Sequence, residues 1–324
     1  MSTPSKPLPQ GPVLEAQTQR FLDALAAQGG PPIYQLSYAD ARQVLENAQA
    51  GVSGLPADTE DRVLPTGPTG EVAVRIYRPK GAQGVLPVVM YLHGGGWVLG
   101  SKNTHDRLLR DMVNATGAAF VFVSYTPSPE AQFPTSLEQC YAATKYVAEH
   151  GKELRLDGGR LAVMGDSVGG NLTAAVTLMA KERGGPAIRY QVLFYPVTDA
   201  GMDTASYQEF ADGPWLTKPA MAWFWDAYAP NVDDRDQPLA SPLRSSLDGL
   251  RGLPPALVVV DDNDVLRDEG EAYARRLLQA DVEVTAARII GAIHDFAMLN
   301  ALAGTEAARS AIRMAADKLK AALQ

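Results

Sequence analysis

LAVMGDSVGGNLTAAVTLMA, residues 161–180, joins a short apolar run to a longer stretch of helix-forming residues through Gly-Asp-Ser-Val-Gly-Gly. A run such as LAVMG suits a strand buried on both faces, and NLTAAVTLMA suits a helix. The pattern G-x-S-x-G between the two predicts a sharp strand-to-helix turn that lifts Ser167 above the end of a sheet. Gly165 and Gly169 would let strand and helix approach closely. The helix N-terminus beneath the serine favours negative charge. The competing reading is a plain helix cap, with Asp166 or Ser167 accepting a backbone N–H.

Outward from this turn, similar apolar runs recur: LPVVMYL (86–92), AAFVFVSY (118–125), YQVLFYP (190–196) and PALVVVD (255–261). EVAVRIYR (71–78) alternates in the period-2 manner of a half-buried strand, and EVTAARII (283–290) reads as the last strand. Helical patterns fall between them at about 104–116, from 135, and over 168–182, 268–280 and 304–323. The second opens at Thr135-Ser-Leu-Glu138, a capping-box signature. Strand–helix alternation of this kind predicts an α/β fold with a mostly parallel, doubly wound sheet, in which chemistry sits in loops beyond the strand ends.

Two regions break the alternation. Residues 12–28 set Leu14, Phe21, Leu22 and Leu25 on one helical face, and a second helix runs from Tyr38 to Ala50. Between Pro196 and Leu253 lie nearly sixty residues without a strand pattern, rich in Tyr, Trp and Phe. So long a segment without structure of its own would be unusual, so it predicts inserted helices that pack with the N-terminal ones as a lid.

Composition is that of an ordinary globular chain of 324 residues. Net charge is −8, from 37 acidic and 29 basic residues, with no basic cluster, which argues against nucleic-acid binding. The one cysteine, Cys140, excludes an intramolecular disulfide and suits a reducing compartment. The start MSTPSKPLPQGP has no apolar core of a signal peptide, and no run approaches the ~20 apolar residues of a membrane span. Together these predict a cytoplasmic protein with a short mobile tail and no membrane span.

A serine needs a neighbouring base. Of four histidines (His93, His105, His150 and His294), only His294 follows the serine, and it stands just past the last strand in GAIHDF. An acid is expected after the intervening strand. PALVVVDDNDVLRDEG offers several: Asp261 falls in the strand, Asp268 and Glu269 open the next helix, and Asp264 is mid-loop and preferred over Asp262. Its carboxylate would orient His294 and stabilise the imidazolium.

HGGGW, GDSVGG, DVLRDEG and GAIHDF, in that order, resemble the bacterial hormone-sensitive-lipase-like carboxylesterases of the α/β-hydrolase superfamily, over about residues 60–320. The resemblance implies an α/β-hydrolase domain of residues 61–198 and 250–324. It also implies a helical cap made from residues 1–60 and the insertion 199–249. It implies a serine esterase acting on short- to medium-chain esters, without cofactor or metal, with an oxyanion hole from the N–H groups of Gly95, Gly96 and Val168. The same triad could serve an amide, lactone or carbamate. A non-catalytic small-molecule receptor on this fold is a more distant reading, since its triad histidine would be lost. Trp97, Tyr195, Phe210, Trp215, Leu216, Ile293 and Phe296 are the candidate substrate-contacting residues, with Trp97 open between pocket wall and core. A homodimer through the edge of the last strand is the expected assembly.

Three positions depart from the family pattern. Val168 stands where alanine is usual, and its branched side chain would trim the pocket. YTPSPE (125–130) lacks the usual arginine, which predicts a missing ion pair. Asp295 stands where glycine is commoner and is expected to face solvent, though turned inward it would raise the pKa of the base. HGGGWVLGSK superficially resembles a phosphate loop, but Ser101-Lys102 is in the wrong order, no G-x-G-x-x-G occurs, and no histidine spacing suits a metal.

Overall fold

The computed structural model describes residues 11–324, so the predicted N-terminal tail lies largely outside the described residues. The chain begins with α1 (Ala16–Gln28) and α2 (Tyr38–Gln49), joined through Gly-Gly-Pro-Pro and a short 3-10 turn. The sheet strands follow as β1 (Ala57–Leu64), β2 (Val72–Pro79) and β3 (Leu86–Leu92). Next come α3 (Asp106–Thr116), β4 (Ala119–Ser124), α4 (Thr135–His150), β5 (Leu156–Asp166) and α5 (Val168–Glu182). After β6 (Gln191–Phe194) the insertion carries α6 (Ala205–Glu209), α7 (Lys218–Tyr228), α8 (Val232–Arg235) and α9 (Leu247–Leu250). The chain closes with β7 (Ala256–Asn263), α10 (Arg267–Gln279), β8 (Val284–Ile293) and α11 (Glu306–Ala322).

The eight strands form one sheet in the order β1-β2-β4-β3-β5-β6-β7-β8. β1, β2 and β4 pair antiparallel; every pair from β4 onward is parallel. β3, β4 and β6 are buried along nearly their whole length, as their unbroken apolar sequences require. β5 places Ser167 near the middle of the sheet, and β8 at one edge brings His294 beside it.

Two local expectations fail. β1 carries no apolar pattern: only Leu64 of ADTEDRVL is buried, and beside its antiparallel ladder with β2 the strand makes ion pairs of Asp58 with Lys80, Glu60 with Arg78 and Asp61 with Arg75. Charges of this kind suit an edge strand, where they also discourage pairing with another chain. The strand therefore begins at Ala57, inside the stretch assigned to the N-terminal helices. The capping box at Thr135 does not form. Pro134 occupies the cap position, Thr135 is already helical, and Glu138 pairs with Arg183, just past the end of α5, instead. No helix among the described residues is long and apolar enough to cross a membrane.

The N-terminal helices and the insertion meet above the parallel end of the sheet. Phe21 of α1 lies 5.4 Å from Trp215, and Tyr38 of α2 stacks on Trp223 of α7 at 4.9 Å. Arg42 of α2 reaches down to the sheet domain. Its guanidinium donates to both Glu130 oxygens and to the backbone carbonyls of Val98 and Ser128, at 2.6–2.9 Å. Thr126, at the position of the usual arginine, makes hydrogen bonds with Gln139 and no ion pair, while Glu130 of the same stretch takes its ion pair from Arg42, far away in sequence. Residues 13–15 also bind the ends of β7 and β8: Glu15 N–H donates to the Gly291 carbonyl of β8, and the Asn263 side-chain amide of β7 donates to the Val13 carbonyl.

Candidate active site

β5 runs into α5 with almost no room between them. A Cβ on Gly165 would fall 2.1 Å from the Gly169 carbonyl oxygen, and one on Gly169 would fall 1.9 Å from that of Leu92. Between these glycines Ser167 is forced to φ 56°, ψ −122°, a conformation costly for any side-chain-bearing residue. Its hydroxyl does not cap α5. Ser167 Oγ lies 2.9 Å from His294 Nε2, and His294 Nδ1 lies 2.8 Å from Asp264 Oδ2. All three side chains are nearly or fully buried. Asp264 also accepts from Leu266 N–H at 3.1 Å. Asp262 stays on the surface, 3.5 Å from Arg288. Mid-loop Asp264, not Asp262, therefore reaches the histidine.

Burial disfavours a charged ring at His294, but the carboxylates of Asp264 and Asp295 outweigh it and raise its pKa. Asp295 is the unexpected contributor. Its side chain is only 15% exposed, with Oδ1 3.5 Å from His294 Nε2 and Oδ2 accepting the Trp215 indole N–H at 3.0 Å. Asp295 has φ 66°, and this left-handed turn directs the carboxylate into the cavity and away from solvent.

Asp166 does not cap α5 either. Its buried carboxylate accepts from Tyr91 O–H at 2.5 Å and Gly94 N–H at 3.0 Å, and lies 3.4 Å from His105 Nε2. Burial opposes its charge, yet His105 and the Tyr91 hydroxyl hold its pKa below the usual carboxylate value. It thereby ties the nucleophile turn to the glycine loop. His93 stacks between Phe122 and Tyr125, at 4.9 and 4.2 Å. Burial and the neighbouring His105 push its pKa down to about 3, so it is a neutral packing residue and no rival to His294.

The loop Gly94–Gly96 passes directly over this arrangement. A Cβ on Gly96 would strike the Phe224 ring at 2.1 Å, and its φ of 64° favours glycine independently. Among the described residues no protein acceptor takes the N–H of Gly95, Gly96 or Val168. Gly95 and Gly96 face the same cavity as Ser167 and His294. Val168 itself is fully buried at the start of α5 and does not line the cavity, so its branched side chain does not trim it.

The cavity has a volume of about 380 Å³. Its walls come from Leu25, Pro31, Pro32, Ile33 and Tyr34 near α1, from Val44, Leu45 and Ala48 of α2, and from Trp215 to Thr217, Ala220, Met221 and Phe224 at α7. Asp295 is the one carboxylate among these walls. Of the seven residues expected at the substrate, Trp215 and Leu216 line it; the other five do not. Trp97 is completely buried, stacked flat on Tyr228 at 4.1 Å and packed against Trp225. Tyr195 sits edge-on to the His294 ring at 4.9 Å, supporting it from beneath, and Phe296 packs in turn on Tyr195. Ile293 is buried at the end of β8, and Phe210 lies under the Arg267 guanidinium. The α2 wall is not legible in the sequence because Val44 and Leu45 are the only large aliphatic residues of that helix, too few to mark a face. One group of histidine and carboxylates within metal-ligating reach is Asp261, Asp264 and His294, and both His294 nitrogens already have partners.

A serine held at a strained strand-to-helix turn, a buried histidine and aspartate in line with it, and unpaired N–H groups beside it define a serine hydrolase of the α/β-hydrolase class. A family model described as the alpha/beta hydrolase fold matches residues 89–298. The chain belongs to this superfamily, among its hormone-sensitive-lipase-like carboxylesterases. A thermostable esterase from Pseudomonas putida has a solved structure that superposes with a TM-score of 0.95 and 52% identity, covering 98% of this chain and 99% of that one. The ethyl acetate hydrolase of Pseudomonas putida is 36% identical over 277 residues, 84% of this chain and 86% of that protein. A putative alpha/beta hydrolase of Acanthamoeba polyphaga mimivirus is 39% identical over 303 residues, 93% and 86% of the two chains.

Proposed function

We propose that this carboxylesterase cleaves short- to medium-chain carboxylic esters through an acyl-enzyme on Ser167. The observation that carries the reading is the unbroken line from Asp264 Oδ2 through His294 to Ser167 Oγ, with contacts of 2.8 and 2.9 Å. Ser167 Oγ attacks the ester carbonyl as His294 Nε2 takes its proton. The carbonyl oxygen becomes an oxyanion and accepts from Gly95, Gly96 and Val168 N–H, each such donor commonly contributing roughly 10²–10³ in rate. Asp264 holds the Nδ1 proton and stabilises the imidazolium. Collapse of the tetrahedral adduct breaks the bond to the alcohol oxygen, which leaves with the proton from His294. Water then attacks the acyl-enzyme by the same route, passing its proton to His294, and releases the acid and free Ser167.

Chain-length preference rests on cavity size. A volume of about 380 Å³ is near the lower end for ligand pockets, and the cap closes it with Leu25, Met221 and Phe224. Acyl chains of about C2 to C8 fit such a space best. The test is a p-nitrophenyl ester series together with fluorophosphonate labelling. The expected outcome is a kcat/KM maximum at short chains and a label on Ser167 that Ser167→Ala abolishes. A maximum at long fatty acyl chains would overturn the size assignment, and an unlabelled wild-type serine would overturn the mechanism. We further propose a cytoplasmic protein, on the ground that Cys140 is a free, buried thiol. We also propose a homodimer through the outer edge of β8, where Ile290 is 71% exposed; sedimentation as a monomer only would remove that part.

A further inference from the structure

Asp261 ends the apolar run of β7, three residues before Asp264, and no step of the mechanism above uses it. Its side chain is completely buried. Neither carboxyl oxygen has a hydrogen-bonding partner among the described residues. One of them nevertheless lies within 4.8 Å of an Asp264 oxygen and of a His294 nitrogen. The titratable groups that bear on it are Asp264 and His294, beyond the ends of β7 and β8, and Tyr195 at the end of β6. No lysine or arginine is among them.

Two ionised carboxylates this close and away from water repel strongly, so one of them holds a proton. The surroundings decide which. Asp264 accepts from His294 Nδ1 and from Leu266 N–H, and both donors stabilise a negative charge. No other residue donates to Asp261, and burial together with the Asp264 charge pushes its carboxyl well above the usual range. A neutral Asp261 has one O–H to place, and the charged acceptor within reach is Asp264.

We propose that Asp261 is a positioning residue of the triad: a neutral carboxylic acid whose O–H is directed at Asp264, fixing the negative charge there and moderating its pull on His294. The consequence is specific to this site. His294 already faces carboxylates at Asp264 and Asp295. A third negative charge beside the same ring would add to the pull that already raises its pKa, and a protonated ring can accept nothing from Ser167. Keeping Asp261 neutral limits that rise and so favours the base form of His294. The inference rests on the triad assignment of the preceding section.

The test joins a spectroscopic readout to a kinetic one. Infrared difference spectra, wild type minus D261N at neutral pH, are expected to contain the carbonyl stretch of a protonated carboxyl. Glu269, another buried carboxyl raised by burial, is common to both proteins and cancels. A difference showing only a carboxylate band overturns the proposal. In kcat/KM–pH profiles, D261N keeps a neutral donor toward Asp264 and is expected to leave the acid limb where wild type has it. D261A removes the donor and is expected to move that limb up by about half a unit or more. A downward shift in D261N would mean that Asp261 is ionised, and a wild-type limb in D261A would mean that it does not act on Asp264. Either result overturns the proposal. Should D261A fail to fold, the infrared band and the D261N limb decide. The infrared readout needs no turnover, so it separates this proposal from the esterase mechanism, whose failure would appear as an unlabelled wild-type serine.

Discussion

Asp295 accepts the indole N–H of Trp215 at 3.0 Å, so the residue that follows the triad histidine is held by the cap. The contact turns a carboxylate toward His294 inside an otherwise apolar cavity and couples cap position to the electrostatics of the base.

Replacing Asp295 with asparagine should extend activity toward acid. His294 works as a base only when neutral, and the Asp295 carboxylate, 3.5 Å from Nε2, favours the imidazolium. Removing that charge lowers the His294 pKa, so the base form survives to lower pH. The acid limb of kcat/KM should move down by on the order of one unit. An unmoved or raised limb would show that Asp295 does not act on His294.

Gly96→Ala should abolish most activity. The new Cβ would fall 2.1 Å from the Phe224 ring, and φ is 64°. The displaced loop would no longer aim its N–H at the oxyanion, a loss of about 10²-fold or more in kcat. Gly184→Ala is the control: φ is 73° there, but nothing lies within 4 Å of the added carbon. It should cost about 1 kcal/mol in stability, seen by urea unfolding, and leave the ester kinetics alone.

Arg42→Ala should destabilise the protein more than Glu130→Ala. Both remove the ion pair, whose carboxylate is 52% exposed and is expected to contribute under about 1 kcal/mol. Arg42→Ala also leaves the Val98 and Ser128 carbonyls without their donor, adding about 1–3 kcal/mol. Equal unfolding free energies for the two variants would contradict this.

Trp97→Phe tests whether that side chain is core. Its stacking on Tyr228 and contact with Trp225 predict a stability loss of about 1–2 kcal/mol. The ratio of kcat/KM for acetate over octanoate esters should stay within about twofold of wild type, because a side chain outside the cavity has no differential contact with the two chains. A large change in that ratio would place Trp97 at the substrate.

The sequence by itself determined the strand–helix alternation, the nucleophile turn and the chain order of the candidate triad. These are local matters: unbroken apolar runs mark strands buried on both faces, and Gly165 and Gly169 mark a turn too tight for side chains. His294 was legible by elimination, as the one histidine after Ser167. β1 was not, because a charged edge strand has no apolar period to read. What only the tertiary structure decided is which side chains share a space. Arg42 finds Glu130 across 88 positions, Asp295 turns inward because of a left-handed backbone and a cap tryptophan, and Trp97 packs into the core beside Tyr228. The identity of a residue limits the contacts it can make. The direction in which its Cα–Cβ bond points is set by the backbone of the whole fold, and no local pattern carries that information.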